Sequence, residues 1–207
     1  MTVASYDPGV FDVATLEEAK DIILCPEEGQ SVEARWRRET PYLVELIQQH
    51  LPITKDSVLL DYGCGIGRLS RELILKTGCK AIGVDFSVNM RAFAANYVAL
   101  HHFYACDKAM LNPGCADFAL SVWVLQHCLF PADDILAIKN ALKPGALFFV
   151  VDDRRVVPTN LGWVKDTADV QALLREHFVF VKKIELSGDH ITHHLAARTT
   201  CSVFQKL

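Results

Sequence analysis

From Ser57 onward, short apolar runs alternate with amphipathic stretches. The apolar runs fall at Val58–Tyr62, Ala81–Val84, His102–Cys106, Phe118–Val122 and Leu147–Val151, and helical spacing covers 67–77, 88–100 and 132–142. A strand–helix–strand alternation of this kind predicts a parallel sheet, since each parallel crossover needs a dozen or more residues. Right-handed crossovers then put helices on both faces. Before this region the pattern is helical only. Thr15 to Glu18 forms a capping box that opens one helix, which stops near Cys25-Pro26. A longer helix carries Val32, Trp36, Leu43, Leu46, Ile47 and Leu51, and Pro41 is expected to break or restart it. After a helix near 167–176, Phe178–Leu186 and Ile191–Thr200 flank Ser-Gly-Asp and predict an antiparallel hairpin. The expectation is an α/β fold: a seven-stranded mixed sheet, with 1–53 as an N-terminal helical cap and 54–207 as the core.

Composition narrows the class. At 207 residues the prior is a single domain, and 51% hydrophobic content supports a sizeable core. The formal net charge of −4 argues against nucleic acid as a whole-surface partner, because such binders rest on a basic face. Neither a basic leader with an apolar run nor a stretch long enough to span a bilayer is present, so a cytoplasmic protein without a membrane partner is expected. Seven cysteines without a C-x-x-C pair speak against a disulfide framework and against zinc.

The strongest local signal is Asp61-Tyr-Gly63-Cys64-Gly65-Ile-Gly67-Arg68, placed where a strand hands over to a helix. Strand ends and a helix N-terminus make a ligand crevice there. A dinucleotide G-x-G-x-x-G starting at Gly63 fails at Arg68; started at Gly65, it meets Ser70 in third place. Asp85, 20 residues beyond Gly65, keeps a nicotinamide reading open in weakened form.

The pattern D-x-G-x-G-x-G is met in full, and here the chain resembles the class I S-adenosylmethionine-dependent methyltransferases, whose fold is Rossmann-like. Further motifs follow in the family's order: Gly83-Val-Asp85-Phe86-Ser87, Ala105-Cys106-Asp107, Asp117 to Ser121 with Leu125-Gln126-His127, and Leu142-Lys-Pro-Gly145. The resemblance covers roughly 54–200 and implies S-adenosylmethionine as cofactor, with S-adenosylhomocysteine as product. It implies a site made by Asp61, Gly63, Cys64, Gly65, Gly67, Arg68, Asp85, Phe86, Cys106, Asp107 and Ser121. Asp85 would take the ribose hydroxyls, since a carboxylate accepts two hydrogen bonds from a vicinal diol. Asp107 would accept from the adenine amino group. Arg68 would meet the methionyl carboxylate, because a cation at a helix N-terminus is unfavourable without an anion.

His127 is the candidate catalytic base, following the fourth strand at the crevice mouth; a packing or hydrogen-bonding histidine is its plainer role. Asp152-Asp153 suggests metal assistance, yet no complete oxygen-ligand pattern accompanies it, and no metal is expected. His190, His193 and His194 are expected on an edge strand far from the crevice. Arg35, Arg37 and Arg38 read as a solvated face with Glu33 and Glu39; with Arg154 and Arg155 they offer an alternative site for a substrate anion. Tyr6, Phe11, Trp36, Tyr42, Trp123 and Trp163 are candidate pocket walls or core. The expected acceptor is a small molecule with an oxygen or nitrogen nucleophile. Alternatives are a protein or RNA methyltransferase, a nicotinamide oxidoreductase and a non-catalytic binding subunit. The oligomeric state is not set by these features.

Overall fold

The computed structural model describes residues 8–153, 155 and 168–207. Tyr6, Arg154 and Trp163 lie outside the described residues. Two helices open the chain, α1 (Leu16–Ile23) and α2 (Val32–His50). Then follow β1 (Val58–Tyr62), α3 (Arg68–Thr77), β2 (Lys80–Val84), α4 (Val88–Val98) and β3 (Phe103–Cys106). The second half is β4 (Ala116–Val122), α5 (Pro131–Ala141), β5 (Leu142–Asp152), α6 (Val170–His177), β6 (Val179–Ile184), α7 (His193–Arg198) and β7 (Thr200–Gln205).

The seven strands form one mixed sheet in the order β3-β2-β1-β4-β5-β7-β6. β3, β2, β1, β4 and β5 are parallel, and β7 runs antiparallel between β5 and the edge strand β6. The order reverses between β1 and β4, so a crevice opens at their carboxyl ends. Strand alternation builds two cores from one sheet. Leu60, Tyr62, Phe148 and Val150 face α5 and α6, while Leu59, Phe149 and Val151 face α2 and α3.

Two expectations change. Pro41 does not interrupt α2, which is continuous over its 19 residues. The proline sits on the exposed side of the helix, where water can satisfy the carbonyl that loses its amide partner. The last hairpin is also different: Ile191–Thr200 is not a strand. Thr192 caps α7 by accepting from the Leu195 amide, and the antiparallel partner is Thr200–Gln205, one helix later. His193, His194, Leu195, Ala196, Ala197 and Arg198 therefore belong to a short helix that packs near the crevice, and His190 to the turn before it, rather than to an edge strand.

The N-terminal helices divide in role. The second half of α2 supplies Leu43, Val44, Leu46 and Ile47 to the same core as α3 and β5. A third, smaller core joins Ala19 of α1 to Ile66 of the glycine loop and Met90 of α4, with Ile22, Ile23 and Trp36 packed against it. Among the described residues no helix is long and apolar enough to cross a membrane.

Candidate functional site

The glycine loop is built by backbone. Gly63 and Cys64 both donate their amides to the Val84 carbonyl at 2.7 and 2.9 Å, which ties the end of β1 to the end of β2. Gly63 and Gly67 have φ of 76° and 78°. A Cβ there would stand 2.3 Å from Val124 Cγ1 and 2.4 Å from Val98 Cγ2 respectively. Only glycine satisfies both the left-handed backbone and the close neighbours. Gly67 then caps α3, whose first residue is Arg68.

Asp85 closes the loop from the second strand. Its Oδ2 accepts from the Gly65 amide at 2.9 Å and its Oδ1 from the Ser87 amide at 3.0 Å. Burial raises its pKa, opposed by those two amides. Asp61, at the end of β1, accepts from Ser70 Oγ at 2.7 Å, and burial moves its pKa up to about 6. Arg68 is 5% exposed. Its Nη1 lies 3.4 Å from Thr40 Oγ1, and its guanidinium carbon stands 5.3 Å from the centre of the Trp36 ring. Among the described residues no carboxylate comes within 4.0 Å of it, and desolvation lowers its pKa to about 10.

These groups line a cleft of about 700 Å³ at the strand ends. Asp61, Gly63, Cys64, Gly65, Arg68, Asp85, Phe86 and Asp107 all reach it, as does His127. Gly67, Cys106 and Ser121 do not reach its wall. Gly67 faces α4, the Cys106 side chain enters the α5-side core, and Ser121 is buried mid-sheet, paired with Val150. Asp107 is the N-cap of a short 3-10 turn, accepting from Ala109 N at 2.9 Å.

The opposite wall comes from the N-terminal helical cap and from α7, a segment expected to lie far from the crevice. Glu27 and Glu28, in the turn between α1 and α2, dock on the start of α7. Glu27 Oε2 accepts from Thr192 Oγ1 at 2.9 Å, and Glu28 accepts from the His193 and His194 amides at 3.1 and 2.8 Å. Those amides, that of His194 first, hold the Glu28 carboxyl below its usual pKa. His194 Nδ1 also lies 2.8 Å from Glu27 Oε1. This dock brings Leu195 and Arg198 to the cleft. The signal for it was present in Thr192, a cap residue four positions before Ala196-Ala197, two strong helix formers.

Arg35 and Glu39 are not a solvated pair. They lie buried one helical turn apart with Arg35 Nε 2.6 Å from Glu39 Oε1, while Arg37 and Glu33 form the exposed pair. Nor does Arg155 face a ligand; it is buried and donates to the carbonyls of Leu125, Gln126 and Cys128. Asp152 accepts from the Gln126 amide at 2.9 Å, and burial lifts its pKa to about 8. Together they shape the turn that carries His127, whose ring lies edge-on to Phe11 at 5.2 Å. Asp153 Oδ2 is 2.5 Å from Arg198 Nε. Among the described residues no cluster of histidine, cysteine and carboxylate suited to a metal occurs.

A methyltransferase-domain family model matches residues 33–205. The chain belongs to that family, the class I S-adenosylmethionine-dependent methyltransferases, and S-adenosylmethionine is its cofactor. It is 30% identical over 126 residues to a ubiquinone biosynthesis O-methyltransferase of Colwellia psychrerythraea, covering 53% of this chain and 51% of the relative. It is 28% identical over 159 residues to a tRNA U34 carboxymethyltransferase of Cellvibrio japonicus, covering 67% of this chain and 48% of the relative. The chain thus spans about half the length of these curated relatives. Among solved structures, geranyl diphosphate C-methyltransferase of Streptomyces coelicolor shares the fold, with a TM-score of 0.68 at 15% identity over 99% of this chain and 90% of that one.

Proposed function

We propose that the chain transfers a methyl group from S-adenosylmethionine to an oxygen or nitrogen nucleophile of a small molecule. The observation that carries the reading is the cleft itself. Its roof is the docked pair of the Glu27-Glu28 turn and α7, and its volume of about 700 Å³ has to hold cofactor and acceptor together. Pockets of this size suit small ligands. Acting on tRNA, as the Cellvibrio relative does, is the second reading; the formal charge of −4 works against it.

The residues fit the cofactor. Gly63 and Gly65 let it pass close to the backbone, and Asp85, held by two amides, presents its remaining lone pairs to the ribose diol. Arg68, a buried cation at a helix N-terminus with no carboxylate within 4.0 Å among the described residues, takes the methionyl carboxylate. Phe86 and Asp107 stand at the adenine end. When bound, the cofactor supplies an activated methyl on a good leaving group. The protein holds the acceptor in line behind that methyl, an alignment that can be worth about 7–11 kcal/mol. Where the nucleophile is a hydroxyl, His127 is the side chain placed to receive its proton.

Calorimetry with S-adenosylhomocysteine tests the cofactor half: binding is expected, and none with clear NAD binding would overturn it. An acceptor panel of small phenols, carboxylic acids and amines against bulk tRNA tests the other half, with turnover expected only on a small molecule. For a hydroxyl acceptor, His127→Asn is expected to lower kcat about a hundredfold and leave S-adenosylhomocysteine affinity within about twofold of wild type.

A further inference from the structure

Trp36 and Thr40 lie one turn apart on α2, a helix outside the strand–loop–helix unit that forms the cofactor site. Both touch Arg68: the Trp36 ring centre is 5.3 Å from the guanidinium carbon, and Thr40 Oγ1 is 3.4 Å from Nη1. Arg68 has a long side chain at the first position of α3 and would keep its hydration best by swinging outward. It is nevertheless 5% exposed, without a carboxylate within 4.0 Å among the described residues. An aromatic face holds a guanidinium by its plane and leaves the in-plane N–H fork available to a carboxylate. Trp36 is itself fixed, edge-to-face against Tyr97 at 6.1 Å and packed on the core that contains Ile66 of the glycine loop.

We infer that Trp36 and Thr40 are positioning residues for the cofactor: they hold the Arg68 guanidinium so that it can bind the amino-acid carboxylate. The inference rests on the assignment of that carboxylate to Arg68 proposed above. It gives α2 two duties, since its Leu43–Ile47 half builds the core and its Trp36–Thr40 half completes the cofactor site. A change in how α2 sits on α3 is then felt as a change in cofactor affinity.

The test is calorimetry on the full chain with two ligands. S-Adenosylhomocysteine carries the amino-acid end; 5′-methylthioadenosine has the same nucleoside and thioether without it. Trp36→Leu is expected to weaken S-adenosylhomocysteine about tenfold and to leave 5′-methylthioadenosine within about twofold. Trp36→Phe, which keeps an aromatic face, is expected to restore most of the loss. Thr40→Val follows the same selectivity at about threefold. In an Arg68→Met background Trp36→Leu is expected to add nothing, because both changes remove one interaction.

Equal loss of both ligands in Trp36→Leu, or a second tenfold loss in the Arg68→Met background, would show that Trp36 merely packs and would overturn the inference. Should Trp36→Leu fail to fold, Thr40→Val and its cycle with Arg68→Met decide in the same way. Wild type that binds the two ligands equally overturns the Arg68 assignment and this inference with it. Wild type that prefers S-adenosylhomocysteine, with the preference kept in Trp36→Leu and Thr40→Val and lost only in Arg68→Met, overturns the inference alone.

Discussion

The two walls of the cleft are held by different forces. On the cofactor side the contacts are shorter in sequence and anchored in backbone: the Gly63 and Cys64 amides on the Val84 carbonyl, and the Gly65 amide on the Asp85 carboxylate 20 residues ahead. On the roof side they are long in sequence and run through side chains, with Glu27 and Glu28 reaching 165 and 166 residues ahead to Thr192, His193 and His194. A backbone lattice closed by glycines tolerates almost no substitution. A dock made of two carboxylates on a six-residue helix can be retuned by single changes.

The sharpest way to break the contrast is Asp85→Ala. It removes the acceptor of the Gly65 and Ser87 amides and the proposed partner of the ribose together. Titration calorimetry is expected to show at least about a hundredfold loss of S-adenosylhomocysteine affinity, the size of two lost charge-assisted hydrogen bonds. Retained affinity would mean that the loop, and not the carboxylate, binds the nucleoside.

Glu28→Gln addresses the roof. It weakens two charge-assisted bonds to the start of α7 without touching the glycine loop. The acceptor KM is expected to rise about three- to tenfold, with S-adenosylhomocysteine affinity unchanged within about twofold. Loss of both would show that the two walls act as one unit.

The smallest effect concerns the turn below His127. Asp152 has a folded-state pKa of about 8 against an ordinary value of 3.8, so between these pH values the folded protein holds a proton that the unfolded chain releases. Stability contributed at this position is therefore present at low pH and falls as pH rises from about 4 to about 8. Asp152→Asn keeps an oxygen for the Gln126 amide and removes the titration. Its melting temperature at pH 8 is expected to exceed that of wild type by about 2–4 °C, the shift that ~1 kcal/mol gives in a chain of this size. The advantage should vanish near pH 4.

Much of this architecture was legible before folding. The five parallel strands, the helices between them and the capping box at Thr15–Glu18 follow from local periodicity and capping chemistry, and all stand in the structure. The glycine-loop wall of the cleft was legible too, because its residues are contiguous and its glycines answer to local backbone geometry. Three of its assignments, Gly67, Cys106 and Ser121, fall off the cleft wall, since neighbourhood in sequence does not say which way a side chain points. The α7 half of the roof was not legible. Thr192–Arg198 reads as easily as a strand when Ser187-Gly188-Asp189 suggests a hairpin turn, and what favours helix is the Thr192 cap with the Glu28 carboxylate at the His193 and His194 amides. Likewise Arg35 and Glu39 satisfy the spacing of a solvated helix pair, and burial under Cys25 and Glu27 is a tertiary fact.

By itself, then, the sequence determined the alternation that makes a doubly covered sheet, the glycine loop at the end of β1 and the acid at the end of β2. These depend on residue periodicity and on left-handed φ, both properties of a few adjacent residues. Tertiary structure alone decided which cations are buried, which carboxylates hold the roof, and that Trp36 and Thr40 of α2 bear on Arg68. Those depend on desolvation and on side chains meeting across more than a hundred residues, or across the α2–α3 interface, and no local pattern encodes the meeting.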